Sequence, residues 1–165
     1  MKKINLLFCF IATILLFTIV SPKCFAQQIN SDSEVVIYTQ KEVKGDYTYI
    51  TVLTKRVNPD NNLNGTRQMI SGSKTTYAID ESGNNAWSIT VNATFSYNGS
   101  IATCVGAYPT TAVYASGWSV TGSSCSISTN SATAYGSAEK RVMGFVVDTD
   151  SMSVSIQCDP NGNIS

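Results

Sequence analysis

From Trp87 to Asn98 the chain alternates without a slip. Trp87, Ile89, Val91, Ala93, Phe95 and Tyr97 fall on one side, with Ser88, Thr90, Asn92, Thr94, Ser96 and Asn98 on the other. A period of two belongs to an extended strand with one buried face, because a helix would scatter the same residues around its axis. Asn98-Gly99 then marks a tight hairpin, since both residues accept the positive φ such a turn needs. Two registers are open for the return strand, Ser100 to Gly106. A two-residue turn pairs Phe95 with Ala102. A three-residue turn with a glycine bulge pairs Phe95 with Thr103 and puts Ile101 and Val105 on the core face. The second buries the larger side chains and is the register expected.

The rest of the chain after the amino-terminal segment reads the same way. EVVIYTQKEV and YTYITVLTKRV flank Lys44-Gly45-Asp46 as a hairpin, and KTTYAID leads through residues 81–85 into the Trp87 strand. TAVYASGWSV follows, then SATAYGSAEKRVMGFVVD, a turn at Asp148 to Ser151, and a last strand MSVSIQC with Met152, Val154, Ile156 and Cys158 on one face. Residues rich in Val, Thr, Tyr and Ser, broken by turn signals at this spacing, predict an all-β chain, an antiparallel β-sandwich of immunoglobulin-like type. The polar, Asn-rich stretch 58–66 reads as a flexible loop within a single domain, 27–165.

Residues 1–26 carry a different pattern. Lys2 and Lys3 precede seventeen residues without a charge, INLLFCFIATILLFTIV, and Ser21 to Ala26 end in a small residue. This is the layout of a cleavable signal peptide, with cleavage expected after Ala26 and a mature chain beginning at Gln27. Lys23 before Cys24 does not fit a lipoprotein cysteine, which wants a small residue at that place. The expected location is therefore secreted and extracellular, without stable membrane insertion after processing. Loss of Lys2, Lys3 and Lys23 leaves eight basic residues against eleven acidic ones, a net charge of −3. With no basic patch to neutralise phosphates, nucleic acid is not an expected partner.

Histidine is absent from the whole chain. That removes the commonest general base, the usual zinc ligand and every Ser-His or Cys-His pair. Asp80-Glu81 and Asp148-Asp150 offer paired carboxylates, but both fall in expected turns, where acidic residues serve solvation and turn geometry. In the tail, Asp159, Asn161 and Asn163 alternate like the first positions of a calcium loop. The glycine and glutamate that such a loop needs at its sixth and twelfth positions are missing, so the reading is a closing turn at Pro160-Asn161-Gly162. No catalytic, cofactor or metal residue is assigned, and the chain is expected not to be an enzyme.

From about Ser71 onward, the succession SGSKTTYAIDESGNNAW, ATFSYNGSIATC, SGWSVTGSS and KRVMGFVVDTDSMSVSIQCDPNGNIS resembles a family of small secreted β-sandwich proteins of Gram-positive bacteria, of unknown function. The resemblance implies a fold and an export route. It implies no reaction and no ligand.

Once residues 1–26 are removed, Cys104, Cys125 and Cys158 remain, an odd number for an oxidising compartment. The pairings Cys104 to Cys158 and Cys104 to Cys125, or three free thiols, are open. The resemblance sets cysteines at the positions of Cys104 and Cys158 and so implies that bond. Tyr47 and Tyr49 share one strand face and are candidates for surface binding, through rings that stack on a sugar or protein with their hydroxyls in water. Trp87 and Trp118 sit in clean alternation and are expected to pack. The expected role is that of a non-enzymatic binding module for an unknown protein or glycan ligand at or near the cell envelope. A small secreted effector or immunity protein acting on competitors is the alternative, and a hydrolase a more distant one.

Overall fold

A computed structural model describes residues 34–56 and 67–165. The expected signal peptide, 1–26, lies outside the described residues, as does the expected loop, 58–66. The described chain is all-β. Eight strands run β1 (Glu34–Lys44), β2 (Tyr47–Arg56), β3 (Gln68–Ile79), β4 (Asn85–Tyr97), β5 (Ala102–Val113), β6 (Trp118–Ser128), β7 (Ser131–Val142) and β8 (Phe145–Gln157). They form two antiparallel sheets, β1-β2-β3-β4-β5 and β6-β7-β8. In each sheet the spatial order is the chain order. This corrects the immunoglobulin-like expectation, because that arrangement needs strands that cross between sheets.

The inner faces of the two sheets share one core. Trp87, Phe95, Leu53, Ile89 and Val91 from the larger sheet meet Ile156, Val154 and Met152 of β8 and the alanines Ala132, Ala134 and Ala138 of β7. Bulky residues on β4 thus face small ones on β7, which lets the layers interdigitate. Each fully buried large side chain contributes about 1.5–3 kcal/mol by removal from water. On the outer faces, hydroxyl pairs such as Ser71–Thr94 at 2.9 Å and Thr75–Thr90 at 2.7 Å bridge neighbouring strands. These cross-strand bonds explain why the polar half of the alternation is so rich in Ser and Thr.

Two local expectations are corrected. Phe95 stands opposite Cys104 and Tyr97 opposite Ala102, with a bulge at Thr94/Phe95. Ile101 and Val105 are therefore exposed, and Ala102 and Cys104 are buried instead. The cause is Asn98, whose Oδ1 accepts the N–H groups of Ser100 and Ile101 at 3.1 and 3.0 Å, lengthening the loop to four residues. The second correction concerns Asp148 to Ser151, which lie inside β8. The chain reverses at Met143-Gly144, both at positive φ, 51° and 87°. Two successive positive φ values define the hairpin turn whose twist matches its strands.

Candidate functional site

The two sheets are unequal, and the inequality makes the site. The three-stranded sheet covers β3, β4 and β5, so the inner faces of β1 and β2 overhang beyond β8. Two clefts occupy the overhang. One, of about 760 Å³, lies between Glu42, Tyr47, Tyr49 and Thr51 on one wall and Thr149 to Ser153 on the other. The next, of about 660 Å³, lies between Tyr38, Leu53 and Lys74 and the residues Ser155 to Gln157. β8 walls both, so together they form a trough along that strand.

At the first cleft two tyrosines bridge the layers. The Tyr47 hydroxyl donates to Asp148 Oδ2, and the Tyr49 hydroxyl donates to Asp150 Oδ1 at 2.9 Å. Trp87 Nε1 donates to the other oxygen of Asp150 at 2.8 Å, and the Thr149 N–H donates to Asp148 Oδ1 at 2.8 Å. Each carboxylate oxygen therefore accepts a bond from the protein itself. Burial, and then the carboxylate each hydroxyl meets, push the ionisation of Tyr47 and Tyr49 well above the usual phenol range. Trp118 stacks edge-on against Tyr47, with ring centroids 6.0 Å apart. The two tyrosines singled out in the sequence are thus half-buried cross-layer struts rather than an exposed stacking platform. Trp87 and Trp118 are buried, as expected.

At the second cleft Lys74 projects from the middle strand β3 into the trough. Burial draws its ammonium below the usual lysine range, and among the described residues it has no ion pair. Its nitrogen lies 6.0 Å from the centre of the Tyr38 ring. A carboxylate or carbonyl entering the trough would meet an unpaired cation.

The open edge of β8 supplies the backbone groups. At its end, the N–H and C=O of Gln157 both bond to Ser165, each at 3.0 Å, and Cys158 bridges to Ile164. The tail thereby begins a fourth strand on the small sheet. In an antiparallel strand the groups of one residue point to one side and those of the next to the other. Ser155, Ser153 and Ser151 therefore turn their N–H and C=O groups into the trough, while the residues between them pair with β7.

The tail itself is the closing turn read from the sequence. Asp159 Oδ1 accepts the N–H groups of Asn161 and Asn163, each at 2.8 Å, and its Oδ2 accepts the Asn163 amide at 2.8 Å. These bonds, the Asn163 side chain first, hold the Asp159 carboxyl below its ordinary range. The expected disulfide is corrected: Cys104, Cys125 and Cys158 are all free. Cys104 and Cys158 approach the same corner but serve it through the backbone, their N–H groups donating to Thr129 and Asn130 at 2.8 and 2.9 Å. Burial pushes all three thiols up.

No protein family, curated protein or solved structure matches the chain. Sequence reading found Tyr47 and Tyr49 but missed their partners and missed the trough. One signal was present: Asp148 and Asp150 continue the buried face of Met152, Val154 and Ile156 at the same spacing of two, which places carboxylates where a core should be.

Proposed function

We propose that the protein is an exported, non-catalytic binding module, a two-layer β-sandwich that takes an extended polypeptide along the open edge of β8. The observation that carries this reading is the edge itself. Among the described residues, Ser151, Ser153 and Ser155 present unpaired backbone groups over a trough whose floor, β1 and β2, no strand covers. Edges of this length are ordinarily guarded by lysine, proline, a bulge or inward-pointing charges. Between Ser151 and Gln157 β8 has none of these. An added strand would bring the small sheet to four, continue the line begun by the tail, and rest apolar side chains on Ile37 and Tyr38, the exposed apolar residues of the second cleft. A carboxylate on that strand would meet Lys74. This is recognition by strand addition, in which main-chain bonds give affinity and alternate side chains give specificity.

A non-catalytic role is supported by the way the carboxylates of Asp148 and Asp150 are held by the protein's own donors. Export rests on the signal-peptide pattern of residues 1–26, and a ligand at or near the cell envelope is part of the proposal. The test uses Ser153→Pro, which removes an N–H that faces the trough and takes no part in the ladder with β7. Binding of the protein to purified envelope fractions is measured by sedimentation. It should fall at least tenfold in the variant and be abolished when the envelope is first treated with protease. Binding that survives both changes would point to a glycan ligand and overturn the proposal.

A further inference from the structure

The hairpin joining β7 to β8 ends in a tip that folding does not explain. Met143 is 95% exposed and Phe145 76% exposed, and Val142, Val146 and Val147 beside them are also exposed. Met143 stands at φ +51°, a conformation that Asn or Gly enters readily and a long side chain does not. The positive φ of Met143 weakens the fold, and the wetted Met143 and Phe145 side chains contribute no burial in return. Both features make sense if the tip is buried in something else.

The arrangement selects the partner. Val142 and Phe145 stand opposite one another on one face of the hairpin, Val146 stands beside Arg141 on the other, and Met143 caps the apex. A surface that is apolar on both faces and at its tip suits a medium that surrounds it, whereas a protein groove covers one face. At the base of the hairpin Arg141 stands level with Val146 and Lys140 stands opposite Asp148. Arg141 is held by Glu139 at 2.7 Å and Lys140 has no ion pair among the described residues. Asp46, Asp80 and Glu81 occupy the β1–β2 and β3–β4 turns at this end, while the β5–β6 turn, whose Gly117 carbonyl accepts the Arg141 N–H at 2.8 Å, carries no charge. Close approach to an anionic surface is thus left to the β5–β6 and β7–β8 side. We propose that the tip docks reversibly into a lipid bilayer, with Met143, Val142 and Phe145 at the acyl boundary and Val146, Val147, Lys140 and Arg141 at the depth of anionic headgroups. The contact is peripheral. It goes beyond the strand-binding role and is independent of it, since the trough and the tip share no residue.

The experiment reads the tip locally. Phe145→Trp and, at the opposite end of the molecule, Ser100→Trp are each placed in the full chain and mixed with equimolar phosphatidylglycerol and phosphatidylcholine vesicles carrying brominated acyl chains. Trp87 and Trp118 are buried and give a constant background. The Phe145→Trp emission should lose at least half its intensity and the Ser100→Trp emission should not change. Met143→Asn, which suits the turn, should raise the melting temperature and weaken vesicle binding at least tenfold. Vesicles without phosphatidylglycerol should bind more weakly. No quenching at either end would assign the tip to a protein partner, and equal quenching at both would assign the binding to another part of the chain. Either result, or unchanged binding by Met143→Asn, overturns the proposal.

Discussion

Tyr49 and Asp150 meet across the gap between the sheets at 2.9 Å, 101 residues apart, and Tyr47 meets Asp148 at the same separation of 101. The constant offset means that β2 and β8 run side by side in the same direction, though they belong to different sheets and share no ladder. The trough exists because two tyrosines reach across it instead of a fourth strand filling it.

Asp150 accepts from both Tyr49 and Trp87, and Trp87 is fully buried. Asp150→Ala leaves the indole N–H without a partner in the core, at a cost of about 1–3 kcal/mol. Tyr49→Phe removes one bond and leaves Asp150 with Trp87, so its cost should be about 0.5–1.5 kcal/mol. Urea denaturation of the two variants checks the order, and an Asp150→Ala loss no larger than that of Tyr49→Phe would contradict the geometry.

The tyrosines also set an alkaline limit. The folded state raises the ionisation of Tyr47 and Tyr49 above the value of 10.0 that the unfolded chain has. Stability from this source is fully present below pH 10 and is lost as pH rises from there towards the folded values, because only the unfolded chain releases those protons. The urea midpoint should fall as pH is raised above 10. In the double variant Tyr47→Phe, Tyr49→Phe the fall should be shallower, since what remains comes from Tyr77 and the thiols, which burial shifts the same way.

How much of this was legible depends on the range of the interaction. Alternation at Trp87 to Tyr97 revealed a strand and its buried face, because period two is a local property. The loop after it was misread, because its length is set by the Asn98 side chain bonding two backbone groups, and Asn-Gly reads alike in two-residue and four-residue loops. Asp148 and Asp150 were read as a turn because two acids in four residues suggest solvent. Their spacing of two from Met152, Val154 and Ile156 marks the face they share, but their tyrosine partners lie about a hundred positions away and are not named by it. The strand order was missed for the same reason: the sequence marks strands and turns, whereas the choice between crossing to the other sheet and staying in the same one is made by packing.

The thiols give a direct check on the corrected pairing. Cys104 and Cys158 are buried and Cys125 is part-exposed. Under native conditions a thiol reagent should modify Cys125 first, with Cys104 and Cys158 reacting only on unfolding. Cys158→Ser should cost about 1–3 kcal/mol by placing a hydroxyl in an apolar site. Peptide mapping without reductant should find three unlinked cysteines, and a Cys104 to Cys158 peptide would reinstate the bridge.

Gly99 and Gly162 separate backbone strain from crowding. Gly99 has φ +85° with nothing within 4 Å of an added Cβ. Gly162 has φ +82° and lies against the Tyr97 ring, where an added Cβ would overlap the ring carbons. Gly99→Ala should therefore cost about 1–2 kcal/mol from the left-handed backbone alone. Gly162→Ala adds overpacking of about 1–3 kcal/mol. It also displaces Pro160, whose carbonyl accepts the Gly99 N–H at 2.8 Å, so the tail and the β4–β5 loop should loosen together. Melting temperatures of the two variants give the comparison, and hydrogen exchange at Gly99 gives the coupling. If Gly162→Ala melted no lower than Gly99→Ala, Tyr97 would have to yield at no cost, and the tail would not be the closure that completes the small sheet.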